Sequence, residues 1–408
     1  MRKIATSIIL VVISNLAFAQ QTSISISSNG QYAISVDGAG NAYLWNLREH
    51  SSENIAGKYN HKSAYFLPNS DNYLLQDKND TKIIVNNISG KEVFSFDPKL
   101  EANSHAISSD LKYYVTSNYE FDTYMFLAQE DKKRHLIVNW CMGDHGGKQY
   151  QGNNPSDCAY GNMQFNFTKD NKRLLATSSG YLYDFDLTNN HWKSIIVGGP
   201  NAMNAIDPNG EFVYTLDSSR VGRAVKYDLQ NNKVITFPNT ANEDNFFFNL
   251  AQRNEIPKLE NNYKKPNGYT NFGFIDNNKV LITYKGMSQP YLWTGLYDIN
   301  NIKIGKFYKD GKSNFAIDNP IKYFPLINNP KDYLDGNYNI EPRPIVDGYN
   351  TTFDTSVEAH KLVIGQANGN GIMVYNYNPS DETLKLDWVG EPPKVEEKKE
   401  EKSKGWFW

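Results

Sequence analysis

Charge of one sign is missing from this chain. Its 408 residues carry 42 Lys+Arg against 45 Asp+Glu, a formal net charge of −3, and only 21% of residues are charged. Nucleic-acid binders show a basic excess, so this balance argues against one. Long apolar runs are also missing beyond the N-terminus, so no transmembrane segment is expected in the mature chain. Linear catalytic signatures are absent: there is no G-x-S-x-G elbow, no H-E-x-x-H helix and no phosphate-binding loop. The seven His residues (His50, His61, His105, His135, His145, His191 and His360) do not pair at ligand spacing, so no metal and no cofactor is expected. Asp144-His145-Gly146-Gly147 is a polar cluster without partners at useful spacing. Asp77-Lys78-Asn79-Asp80 lacks the glycine and distal Glu of a calcium loop and reads as a turn.

Cysteine is scarce as well. There are two, Cys141 and Cys158. What makes them meaningful is the N-terminus. Arg2 and Lys3 form a basic start, Ile4 to Leu16 an apolar stretch, and Ala17-Phe18-Ala19 a small-residue cleavage site. Residues 1–19 therefore read as a cleavable signal peptide, too short for a span of about 20 apolar residues. No Cys follows the site, so a lipoprotein is not expected. Removing Arg2 and Lys3 leaves 40 basic against 45 acidic residues, a net of −5. An exported, periplasmic or secreted chain meets an oxidising compartment, where Cys141 and Cys158 are expected to form a disulfide. Closing a loop of this size stabilises by about 3 kcal/mol.

What the chain has in quantity is aromatic residues, 13% of the total, and Gly, Asn and Asp between short apolar runs. That composition excludes global disorder. A repeat organises it. In the first copy Ile24 to Ser27 is followed by a Ser28-Asn29-Gly30 turn, then Tyr32 to Val36, then Asp37 to Gly40, then Tyr43-Leu44-Trp45-Asn46-Leu47. Ile34 and Val36 alternate with Ala33 and Ser35, the period of a β-strand. Later copies keep the order, and most add a fourth, more polar strand such as Lys91 to Phe94. Corresponding third-strand positions are Trp45, Asn86, Phe126, Tyr183, Tyr227, Tyr297 and Tyr375, spaced by 41, 40, 57, 44, 70 and 78 residues. Longer gaps must hold insertions: Cys141 to Cys158, about 239–268, and about 309–350. Four antiparallel strands per unit of about 40 residues is the pattern of propeller blades.

These copies resemble the WD-repeat and YVTN-type β-propeller superfamily, over roughly residues 22–390. Tyr43-Leu44-Trp45-Asn46-Leu47 is similar to the WD dipeptide that ends a third strand, and Tyr183-Asp184, Tyr227-Asp228 and Tyr297-Asp298 occupy the same place. Gly210-Glu211-Phe212-Val213-Tyr214-Thr215 resembles the YVTN strand. The Gly-His dipeptide of WD-repeats is missing, and with it their His-Asp network. The resemblance implies an all-β propeller, most simply of seven four-stranded blades, over residues 20–390.

Residues 391–408 differ in composition. Lys394 to Lys404 holds five Lys and four Glu, a solvated spacer, and Trp406, Phe407 and Trp408 close the chain. Large aromatics on a charged tether read as a partner-binding motif. The expected function is a protein-protein interaction scaffold in the bacterial envelope, with ring and tail offering two linked contacts. The alternatives are a propeller hydrolase of the lactonase-like type, built from residues scattered round the channel, and a secreted surface-binding factor.

Overall fold

In a computed structural model, the described residues are 21–55, 61–77, 81–100, 104–117, 123–127, 132–137, 164–178, 181–189, 191–196, 202–217, 224–236, 266–286, 292–298, 304–307, 315–317, 322–325, 352–365 and 371–393. They form seven four-stranded antiparallel sheets and one two-stranded ribbon. The first sheet is Gln21–Ile26, Tyr32–Asp37, Ala42–Asn46 and Ser51–Asn54. The second is His61–Phe66, Tyr73–Asp77, Ile83–Asn86 and Glu92–Phe96. The third is Ser104–Ile107, Tyr113–Ser117, Thr123–Leu127 and Lys132–Ile137, and the fourth Gln164–Phe167, Arg173–Ser178, Tyr181–Asp186 and His191–Ile196. The fifth is Ala202–Ile206, Phe212–Asp217, Ala224–Asp228 and Lys233–Thr236. The sixth is Pro266–Asp276, Lys279–Gly286, Leu292–Asp298 and Lys322–Pro325. The seventh is Phe353–Ser356, Lys361–Gly365, Ile372–Asn378 and Thr383–Gly390.

One expectation changes here. The stretch at about 309–350 is not wholly an insertion, because Lys322–Pro325 within it is the fourth strand of the sixth sheet, pairing with Leu292–Asp298. Between those two strands, Ile304–Phe307 and Phe315–Ile317 pair as the separate ribbon.

The sheets close into a ring because neither face of any one sheet is self-sufficient. In the first sheet Ala33, Ile34, Ser35 and Val36 are all buried, so the period-two alternation is one between two neighbouring sheets. Ile34, Val36 and Leu44 pack against Ala64, Phe66 and Leu75 of the second sheet. Ala33, Tyr43 and Trp45 turn the other way, onto Val363, Ile372 and Val374 of the seventh. Further apolar cores join the second sheet to the third, the third to the fourth, the fourth to the fifth and the sixth to the seventh. Tyr214 and Phe274 meet edge-on at 5.4 Å between the fifth and sixth. First strands of neighbouring sheets touch, and Gln21–Ile26 touches Phe353–Ser356, so the first strands surround the axis. The architecture is a closed all-β propeller.

The turns after the first strands of the first, third, fourth and fifth sheets are locally coded. Ser27, Ser108 and Thr168 each donate a hydroxyl to the Asx residue two places on (Asn29, Asp110, Asp170), at 2.6–2.8 Å. Asp207 does the same work as an acceptor, taking the amides of Glu211 and Phe212. Such Asx and hydroxyl turns fix the chain reversal without tertiary help. The turns also join across sheets: Asn69 N donates to Ser28 Oγ at 3.0 Å, and Asn171 Nδ2 to Ser109 Oγ at 2.9 Å.

Candidate functional site

Two polar arrangements stand out from the apolar frame. The first lies at the inner edges. A first strand pairs only with the second strand of its own sheet, which leaves its other edge without sheet partners. Side chains of the preceding sheet supply them. Ser23 Oγ donates to Ala64 O at 2.9 Å, and Ser25 Oγ accepts the Phe66 amide at 3.1 Å. At the ring seam the carboxylate of Asp354 takes this role, accepting Ile26 N at 3.0 Å and Ser25 Oγ at 3.2 Å. Ser63 Oγ also meets His105 Nε2 at 3.3 Å, between the second and third sheets.

The second arrangement is a cleft of about 420 Å³ between the fourth and fifth sheets. The first turn of the fourth sheet lends it Thr168, Lys169, Asp170, Lys172 and Arg173, and turns of the fifth lend Asn209, Gly210 and Gln230. Lys169 Nζ reaches across to Pro208 O at 2.6 Å. Burial raises Asp170, but the Thr168 hydroxyl, the Lys172 amide and the Lys172 charge together hold it below the usual carboxylate range. Asp186 is also held low, first by the Thr188 hydroxyl. Both carboxylates are therefore ionised at neutral pH, beside two exposed ammonium groups. The notch is charged with both signs and suits a polar, charged segment more than an apolar ligand.

Beneath the cleft lies a buried lock. Asp184 is 2% exposed, with Arg173 Nε at 3.6 Å and Lys193 Nζ at 3.5 Å. Arg173 also donates to Leu229 O and, at 2.8 Å, to Asn232 Oδ1. These contacts aim the cleft's rigid cation.

The candidate site residues taken from the sequence, Cys141, Cys158, Trp406, Phe407 and Trp408, lie outside the described residues. So do Asp144-His145 and Lys78 to Asp80. The third-strand residues are placed: Trp45, Tyr183 and Tyr227 are fully buried between sheets. Trp45 Nε1 donates to Ser35 Oγ at 2.8 Å, and Asp37 accepts Asn41 and Tyr43 instead of a His. Sequence reasoning missed Asp354, Ser25, Arg173 and Lys193, which carry no local motif. Among the described residues, no group of three or more His, Cys, Asp and Glu is arranged to hold a metal, and no helix is long and apolar enough to cross a membrane.

The fold these features build is that of the WD-repeat-type β-propellers. Among solved structures, Kluyveromyces lactis Hsv2 superposes with a TM-score of 0.52 at 10% identity, covering 92% of this chain and 100% of that one. The Cps50 (Swd1) β-propeller domain of Myceliophteria thermophila does so with a TM-score of 0.56 at 10% identity, over 88% of this chain and 98% of that one. At such identity the likeness is one of fold. No family model matches the chain, and no curated protein sequence matches it.

Proposed function

We propose that this chain is an exported β-propeller that serves as a protein-protein interaction scaffold in the bacterial envelope. In this reading residues 1–19 are removed on export, residues 20–390 form the ring, and residues 391–408 tether Trp406, Phe407 and Trp408 as a second contact. The observation that carries the reading is the closed ring itself. Continuous inter-sheet cores and linked turns hold its rim rigid, and a rigid rim loses little freedom when a partner docks. The charged notch at Lys169, Asp170, Lys172 and Asp186 is the part of that rim best suited to a polar partner segment. The tail would raise avidity if both contacts reach one assembly. The test is cross-linking in the envelope followed by mass spectrometry, comparing the full chain with one ending at Pro393. Specific capture of the same protein by both forms, weaker for the shorter one, is expected. Absence of specific capture by either form refutes the scaffold; unchanged capture refutes only the tail contact.

A further inference from the structure

Two Asn-Gly steps occupy the same turn of the ring and are held differently. Asn29-Gly30 follows the first strand of the first sheet, and Asn209-Gly210 that of the fifth. Both glycines are left-handed, and each donates its amide to the carbonyl three residues back, Gly30 N to Ser27 O at 2.8 Å and Gly210 N to Asp207 O at 2.9 Å. The backbones match, and the side chains do not.

Asn29 is fastened. Its Oδ1 accepts Ser27 Oγ at 2.8 Å and Gln31 N at 3.0 Å, and its Nδ2 donates to Asp71 Oδ1 of the second sheet at 3.1 Å. Gly30 beside it is buried against Ala359. In the fifth sheet Asp207 stands where Ser27 stands in the first. A carboxylate only accepts, so it has no proton for Asn209 Oδ1. Asp207 Oδ1 instead takes Glu211 N at 2.7 Å and Phe212 N at 2.6 Å, and the Glu211 amide is the counterpart of Gln31 N, which Asn29 binds. Asp207 thus closes the turn alone. Asn209 makes no hydrogen bond to another described residue and is exposed on the wall of the charged cleft. A Cβ on Gly210 would meet nothing within 4 Å.

We propose that Asn209 is a site of spontaneous deamidation, which adds a carboxylate to the cleft as the protein ages, while Asn29 is protected in the same turn. The Gly210 amide nitrogen gives its proton to hydroxide and attacks Asn209 Cγ. The N–Cγ bond forms, the Cγ–Nδ2 bond breaks, and Nδ2 leaves as ammonia, its third hydrogen coming from water. Water then opens the cyclic imide, at Cγ to give aspartate or at the main-chain carbonyl to give isoaspartate. The balance is one water consumed and one ammonia released, with no other reactant. To reach the attacking geometry the carboxamide must turn over its own backbone. Asn29 must first break its bonds to Ser27, Gln31 and Asp71, and Asn209 has none of these to break. The turn accepts the aspartyl product, since Asp110 and Asp170 hold the corresponding place in the third and fourth sheets. The cleft, lined by Lys169, Lys172 and Arg173 against Asp170 and Asp186, passes from an excess of cations to balance.

The test holds the folded mature chain in mildly alkaline buffer, digests samples in acid, and follows the Asn29 and Asn209 peptides by mass spectrometry with separation of the isoaspartyl form. Asn209 should convert faster than Asn29 by about tenfold or more, because several hydrogen bonds restrain Asn29. In urea the two rates should converge. Equal rates in the folded chain, or a difference that persists unchanged in urea, overturn the proposal. Asp207→Ser restores the hydroxyl of the first sheet and should slow Asn209 toward the rate of Asn29; a folded Asp207→Ser chain that converts as fast as the wild type overturns it. Should that variant fail to fold, Ser27→Ala decides instead. It frees one bond of Asn29 Oδ1 and should quicken Asn29 by about fivefold, and an unchanged rate there overturns the proposal.

Discussion

The Tyr227 hydroxyl donates to Asp184 Oδ2 at 2.9 Å, from the third strand of the fifth sheet to the third strand of the fourth. Burial first, and the Asp184 charge second, push the phenol well above its ordinary range, so it remains a donor in alkaline solution. Asp184 is thereby held between a phenol and two cations, Arg173 and the more exposed Lys193. Removing the carboxylate strands Arg173 near the sheet interface. Asp184→Ala should cost about 3–5 kcal/mol. Tyr227→Phe keeps the ring under Lys193 Nζ, 5.3 Å from its centroid, and loses one hydrogen bond to a charged group. It should cost about 1.5–3 kcal/mol. Urea unfolding of both variants checks the order. Equal losses would show that the ring packing, and not the carboxylate, holds this interface.

Trp45 gives a second prediction. Its indole is fully buried, and Nε1 donates to Ser35 Oγ at 2.8 Å. The ring packs at 6.0 Å against Trp388 of the seventh sheet, so it belongs to the seam. Trp45→Phe leaves Ser35 without that donor and opens a small void. A loss of about 2–4 kcal/mol is expected. Ser35→Ala loses the bond alone and should cost about 1–3 kcal/mol, because the indole N–H is then stranded. Thermal unfolding of the two variants separates packing from hydrogen bonding. If Ser35→Ala costs as much as Trp45→Phe, packing is the minor part.

The repeat was legible because its signals are local. Polar turns, Tyr-Asp third-strand ends and period-two strands each need only a few neighbouring residues, and the turn read at Ser28-Asn29-Gly30 folds as one. What joins one sheet to the next was not legible. Tyr183-Asp184 and Tyr227-Asp228 look alike in sequence, and nothing in it says that the tyrosine of one reaches the aspartate of the other. Asp354 is harder still, since its partners lie 328 and 329 residues away and its own surroundings, Phe353 and Thr355, form no motif. The fourth strand of the sixth sheet escaped notice because the ribbon at Ile304–Phe307 and Phe315–Ile317 intervenes before it.

The expected bridge between Cys141 and Cys158 is checked chemically. Alkylation of the denatured mature chain without reductant should leave both residues unmodified, and prior reduction should expose both. Replacing both by Ser should lower stability by about 3 kcal/mol. Free thiols before reduction would remove the bridge and, with it, the argument from an oxidising compartment.

Gly30 and Gly210 occupy the same turn in the first and fifth sheets, with φ of +64° and +73°. Both conformations are left-handed, so any L side chain is strained there. Their surroundings differ. A Cβ on Gly30 would meet Ala359 Cβ at 2.1 Å, across the seam, whereas one on Gly210 would meet nothing within 4 Å. Ala359 is held in place by the hydrogen bond its amide N–H donates to Ser356 Oγ, which itself donates to Ser28 O. The obstacle is thus tied to the turn that the new methyl would enlarge, and it cannot swing aside as a long side chain would. Gly210→Ala should cost about 1 kcal/mol, the backbone strain alone. Gly30→Ala should cost roughly 2–4 kcal/mol, because the overlap forces the sheets apart. Amide exchange should locate the extra loss at the seam, with faster exchange at Ile26 in Gly30→Ala and an unchanged rate there in Gly210→Ala. Equal costs for the two substitutions would mean that the first and seventh sheets are not in close contact in solution.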